Sequence, residues 1–173
     1  VSDEPVRVSR EWLALREPAD AAARSTELVD HLTERLPAPG TPLTIHDLGG
    51  GTGSMGRWLA PRLPGPQRWV IHDRDPDLLA AATAIPPGPA ANSAPVTVEP
   101  RQSDITALAP DDLAGADLIT ASALLDILTE PEMLSLVELW AHAGTPPMLL
   151  TLSVSGRVAL EPPDPLDPHI AAA

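Results

Sequence analysis

Between residues 43 and 154 the hydrophobic positions fall into short, nearly continuous runs, each separated from the next by a segment of helical spacing. The runs at 43–48, 68–72, 96–99, 117–121 and 147–154 have strand length and little alternation, the pattern of strands buried on both faces. Segments 55–63, 76–84 and 130–143 predict helices; the last carries Met133, Leu134, Val137, Leu139 and Trp140 on its apolar side. Strands alternating with helices in this way predict an α/β fold, a mostly parallel sheet covered by helices on both faces.

Upstream, residues 9–36 read as helical. Ser9 is the expected N-cap, and Trp12, Leu13 and Leu15 supply apolar surface in the first turns. Pro18 is expected to break this segment and to open the next helix, where Ala21, Leu28, Val29, Leu32 and Leu36 recur at near-helical spacing. Pro37, Ala38, Pro39 and Gly40 stop it. At the far end, Glu161, Pro162, Pro163, Asp164 and Pro165 predict an extended connector. The organisation expected is therefore an N-terminal helical segment at 1–40, an α/β core at 41–160 and an extended tail at 161–173, where the chain is expected to have been shortened.

Composition narrows the chemistry. The chain has 173 residues with no Phe and no Tyr, so Leu, Ile, Val and Ala must fill the core beside four Trp. All eleven cations are Arg, and the net charge of −13 opposes binding to a phosphate backbone; nucleic acid is not expected as a partner. With no Cys there is no disulfide, thiolate metal site or Cys nucleophile, and the five His show no ligand spacing, so no metal is expected. No apolar run approaches spanning length and no leader opens the chain, giving the expectation of a cytoplasmic protein without a membrane partner.

The candidate chemistry lies in residues 45–56, IHDLGGGTGSMG. Gly51, Gly53 and Gly56 spell the dinucleotide pattern G-x-G-x-x-G, while Asp47, Gly49, Gly51 and Gly53 spell D-x-G-x-G-x-G. The first needs a pyrophosphate on a helix N-terminus, which a carboxylate at Asp47 would oppose. The second suits a ligand carrying an ammonium group. Two further acids end strands: Asp73, placed to accept ribose hydroxyls, and Asp104, placed to accept from an adenine amino group. Three such acids favour a sulfonium nucleoside cofactor over NAD.

With these motifs, Asp47 to Gly53, Val70-Ile71-His72-Asp73, Ser103-Asp104-Ile105 and the segment 116–126, the chain resembles the class I S-adenosylmethionine-dependent methyltransferases over residues 41–155. The resemblance implies a Rossmann-like sheet of order 3-2-1-4-5 and S-adenosylmethionine as cofactor. It implies that Gly49, Gly51 and Gly53 line the methionine end, that Arg74 and Ile105 flank the adenine, and that the backbone of Ala121 and Ser122 approaches the methionine amino group. Residues 1–40 resemble the lids of small-molecule methyltransferases; Arg24 there either reaches the cofactor carboxylate or, the favoured reading, is solvated. The family fold normally continues past the fifth strand, so that strand is expected to be an uncovered edge open to pairing with a second copy, a possible homodimer.

A small-molecule methyl acceptor is expected, since the Cys of pyrimidine C5-methylation and the Asn/Asp-Pro-Pro-aromatic motif of base-amino methylation are both missing. Asp126 is the candidate base or substrate anchor, set against a capping or solvated role. The competing functions are a non-catalytic or truncated cofactor-binding domain and an NAD(P)-binding oxidoreductase. His46 and His72, each in an Ile-His-Asp triplet on neighbouring strands, are expected to be hydrogen-bonded core residues.

Overall fold

A computed structural model describes residues 8–152, 162 and 164–167. Five parallel strands, β1 (Leu43–Leu48), β2 (Gln67–Asp73), β3 (Val96–Gln102), β4 (Leu118–Ser122) and β5 (Met148–Thr151), form a sheet of order β3-β2-β1-β4-β5. The helices are α1 (Arg10–Ala23), α2 (Glu27–Thr33), α3 (Ser54–Leu59), α4 (Pro76–Ala84) and α5 (Glu130–His142). The fold is the expected Rossmann-like one. Strand order reverses beside β1, so the ends of β1 and β4 open a crevice at the carboxyl edge of the sheet.

Alternation along the strands divides the core. Leu43, Ile45, Trp69 and Leu118 face α2 and α3, meeting Val29, Leu32, Met55 and Leu59. Leu48, Ile119 and Ala121 face the other way, onto Leu113, Leu136 and Leu139. Trp69 is the largest fully buried side chain. Its indole donates to the Gln67 side-chain oxygen at 2.8 Å, and the Gln67 amide reaches the carbonyls of Ala60, Leu63 and Pro64 at 3.0 Å. An indole can enter the centre of this core because a buried amide satisfies its N–H.

Three element boundaries differ from the sequence reading. Helix α1 runs through Pro18 and ends instead at Arg24, whose φ −71° and ψ 133° are extended. Pro18 is exposed, so its ring projects into solvent and the unmade bond to the Ala14 carbonyl is left to water. Strand β3 continues through Pro100 to Gln102 because it is the sheet edge, where a missing N–H interrupts no second neighbour. The helix expected at 55–63 tightens after Leu59 into a 3-10 turn, Ala60–Arg62, with Pro61 inside it. Of the expected connector, residues 161 and 163 lie outside the described residues; Asp164 and Asp167 close a hydrogen-bonded turn at 2.8–3.0 Å. The last part of the strand expected at 147–154 also falls outside them.

No side chain of α1 is fully buried, and with only partly buried apolar contacts such as Ala21 and Leu13 its stability rests largely on its own backbone and on polar ties. Pro18→Ala restores the missing hydrogen bond and should stabilise α1 by up to about 3 kcal/mol. Slower amide exchange across residues 19–23 measures it; unchanged exchange contradicts the account.

Candidate functional site: the glycine loop and three strand-end acids

The loop after β1 is shaped by backbone that only glycine takes without strain. Gly49, Gly51 and Gly53 have φ of 63°, 52° and 81°. Gly50 matters for a different reason. A Cβ there would lie 2.5 Å from Asp47 Oδ2 and 2.8 Å from Ile71 Cγ2, so the loop presses its backbone directly onto β1 and β2. The Gly50 N–H donates to the His72 carbonyl at 3.1 Å. Sequence reading passed over Gly50; its requirement comes in part from Ile71, 21 residues away in a neighbouring element, for which a glycine run gives no sign.

Asp47 lies beneath this loop with no solvent exposure. Its Oδ1 accepts from the Thr120 hydroxyl at 2.7 Å, while Oδ2 is buried without a hydrogen-bond partner among the described residues. Burial pushes the carboxyl pKa up to about 7, against the pull of the Thr120 hydrogen bond and the Arg24 charge. Asp73, at the end of β2, accepts from the Gly51 N–H at 2.9 Å and from the Asp75 N–H at 2.9 Å. Each of its oxygens thus holds one backbone donor and keeps a further lone pair.

The structure brings Asp47, Gly49, Gly51, Gly53 and Asp73 together around the end of β1. Asp104 lies after β3, exposed, where the Thr106 hydroxyl and amide hold its carboxyl below the usual range at 2.7 and 2.9 Å. Ile105 beside it is half-buried, and Arg74 is exposed after β2. Ala121 is buried at the end of β4, and Ser122 is half-buried next to it. Asp126 stands apart from this group, exposed in the turn after β4; the capping alternative falls, because Thr129 caps α5 with Glu132. Ala123, just beyond Ser122, takes φ 49° and donates its N–H to the Thr151 carbonyl at 2.9 Å.

Two arginines fasten the N-terminal helices to the loop. Arg24 is 8% exposed, which overturns the solvated reading: its guanidinium donates to the Ser54 carbonyl at 3.3 Å and to the Ser122 hydroxyl at 3.2 Å. It is drawn inward because it bridges the start of α3 and the end of β4, a pairing 98 residues apart in sequence. Arg57 of α3 uses all of its donors. Nε and Nη2 reach the Glu17 carboxylate at 2.7 and 2.6 Å, Nη1 reaches the Thr52 and Ile85 carbonyls at 2.5 and 3.0 Å, and Nη2 also meets the Thr52 hydroxyl at 3.4 Å. Leu13 of α1 consequently lies over Gly51, 3.4 Å from where its Cβ would stand. Beyond β4 and β5 is a cavity of about 190 Å³ whose lining includes Arg24, Leu28, Ser122, Leu150 and Thr151.

Gly50→Ala should destabilise the fold by about 1–3 kcal/mol, the usual cost of overpacking, measured by urea unfolding. Asp47 supplies a pH test. Its folded pKa lies above the unfolded value, so the protonated form favours folding, and this stability is lost as pH rises from about 4 through about 7. Relative to the native chain, Asp47→Asn should gain stability at pH 8 that it does not gain at pH 4. Equal differences at both pH values contradict the assignment.

No protein-family model and no curated protein matches the chain. Solved structures do. The plantazolicin methyltransferase BpumL, in complex with SAH, is 15% identical with a TM-score of 0.51, over 82% of this chain and 45% of its own. The phosphoethanolamine N-methyltransferase 1 of Haemonchus contortus, in complex with phosphoethanolamine and S-adenosylhomocysteine, is 17% identical with a TM-score of 0.52, over 85% and 28%. The mitomycin 7-O-methyltransferase MmcR is 19% identical with a TM-score of 0.51, over 92% and 40%. The chain spans less than half the length of each of these three proteins. It has the Rossmann-like fold found in these methyltransferases.

Proposed function

We propose that the chain binds S-adenosylmethionine at the glycine loop and transfers its methyl group to a small-molecule acceptor. The observation that carries this reading is the set of acids Asp47, Asp73 and Asp104 at the ends of β1, β2 and β3 around a loop with positive φ at Gly49, Gly51 and Gly53. The fold is shared with methyltransferases, two of them bound to the product form of this cofactor.

The residues present fit the ligand. Asp73 keeps lone pairs for ribose hydroxyls, and Asp104, Ile105 and Arg74 are the residues that would border the adenine. The bare backbone at Gly49, Gly51 and Gly53 permits close approach, and Ala121 and Ser122 border the methionine end. The unpartnered Asp47 oxygen places negative character beneath the loop, favouring a cationic ligand over a pyrophosphate. When bound, the cofactor supplies a methyl group already activated by its sulfonium. The chain's contribution is then alignment and exclusion of water, with no base required. The cavity beside Ser122 and Thr151 suits the reacting end of a small molecule, and Asp126, exposed in the turn after β4, is a candidate anchor.

A second reading, a cofactor-binding unit without its own acceptor site, draws support from the short span of the chain against its structural neighbours. Calorimetric titration with S-adenosylmethionine, S-adenosylhomocysteine and NAD tests both. We expect S-adenosylhomocysteine to bind and NAD not to, and Asp73→Ala to weaken binding by at least about tenfold through loss of charge-assisted hydrogen bonds. Preference for NAD overturns the proposal. Tight S-adenosylhomocysteine binding with no transfer to any member of a small-molecule acceptor panel favours the second reading.

A further inference from the structure

The side of the sheet opposite Asp47 carries a buried polar chain. His46 and His72 are 2% and 1% exposed, their rings stacked at 5.2 Å with 21° between planes. His46 Nδ1 lies 2.9 Å from His72 Nε2, and His72 Nδ1 lies 3.1 Å from the Ser103 hydroxyl. His46 pairs in register with Val70, so His72 is its diagonal neighbour on the same face.

The proton positions follow from the network. The Ser103 hydroxyl donates to the Arg101 carbonyl at 3.4 Å, so its oxygen is free to accept from His72 Nδ1–H. His72 Nε2 then accepts from His46 Nδ1–H, leaving His46 Nε2 as a buried bare acceptor. The reverse polarity would bury an N–H without a partner, the rarer and costlier defect. Both imidazoles are therefore neutral. Burial holds each pKa down at about 4, and the Arg101 charge on β3 adds to it for both. Around His46, Arg68 of β2 acts in the same direction and Glu99 of β3 against it; around His72, Glu99 and Asp112 of the turn Pro110–Leu113 act against it.

Each member of this chain immediately precedes a site acid: His46 before Asp47, His72 before Asp73, Ser103 before Asp104. Because successive residues of a strand point to opposite faces, His46 and His72 lie on the underside of Asp47 and Asp73, while Ser103 and Asp104 follow the end of β3. Backbone links close the connection. The His72 carbonyl accepts from Gly50 N–H at 3.1 Å, and the Asp73 carbonyl accepts from Ser103 N–H at 3.0 Å.

We propose that His46, His72 and Ser103 are positioning residues that fix the spacing of Asp47, Asp73 and Asp104, and that a proton entering this chain disassembles the ligand site in acid. The first part rests on geometry alone; its expression as ligand affinity rests on the cofactor reading above. Protonating His72 at Nε2 replaces an acceptor by a donor, so its bond from His46 Nδ1–H cannot be kept, and protonating His46 at Nε2 buries a charged N–H without a partner. The folded pKa values lie below the unfolded one, so the stability these groups contribute is complete above about pH 6.5 and is lost as pH falls toward about 4.

The test compares the full chain with His72→Leu, His72→Gln and Ser103→Ala, the last a mild change at the outer end should the leucine variant fail to fold. At pH 7.5, S-adenosylhomocysteine affinity by calorimetry should fall roughly tenfold in His72→Leu and severalfold in Ser103→Ala, the scale of losing an orienting partner, and return in His72→Gln, whose amide both donates and accepts. Loss of affinity between pH 6.5 and 4 should be shallower in His72→Gln. Equal affinity in the native chain, His72→Leu and Ser103→Ala overturns the proposal, as does a glutamine variant no better than leucine. Amide exchange at Gly50, Gly51 and Ser103 gives a readout free of ligand. If the native chain binds no S-adenosylhomocysteine, the cofactor reading fails, while faster exchange in Ser103→Ala and His72→Leu still supports the positioning role and unchanged exchange overturns it.

Discussion

The contact between Gly50 and the buried carboxyl of Asp47 is the constraint around which the rest of the site is arranged. With a carboxyl oxygen 2.5 Å and a methyl carbon 2.8 Å from the place of any Cβ, the backbone of the loop lies flush on β1 and β2. That closeness lets Gly50 reach the His72 carbonyl and Gly51 reach the Asp73 carboxylate, so one loop locks the ends of both strands. It also seals Asp47 from water, which raises its pKa and leaves one oxygen unsatisfied. A defect of this kind costs stability and is tolerated where the group serves something other than stability.

Above the loop, α2 is held by Val29 and Leu32 in the core, whereas the attachment of α1 is largely polar. Helix α1 buries no side chain fully, yet Glu17 and Arg24 tie it to α3, to β4 and, through Arg57, to the loop itself. The absence of lysine is consistent with this use. A planar fork with several donors can bind a carboxylate and two carbonyls at once; a single ammonium cannot hold that arrangement.

The parts of this structure that were legible in the sequence depend on local periodicity. Buried parallel strands announce themselves as apolar runs, and helix α4 begins and ends where Asp75, Pro76 and the alanine-rich stretch place it. The acids at strand ends were legible for the same reason, because each stands where a run stops. What was not legible depends on partners distant in sequence. Arg24 looks like any charged helix residue until β4 brings Ser122 beneath it. Gly50 looks redundant among its neighbours until Ile71 closes over it. Pro18 signalled a break and the third run was read only to Glu99, but Pro18 faces solvent and Pro100 lies on the sheet edge, the settings that tolerate a missing N–H.

The ring of Trp58, 7% exposed in the core beneath α3, lies under the guanidinium groups of Arg24 at 5.5 Å and Arg62 at 4.8 Å. Arg24 is also the residue at which α1 ends, so the electric field at this indole depends on whether the N-terminal helices are seated. Departure of Arg24 would strip a cation from a chromophore that otherwise stays sealed, altering its ultraviolet emission.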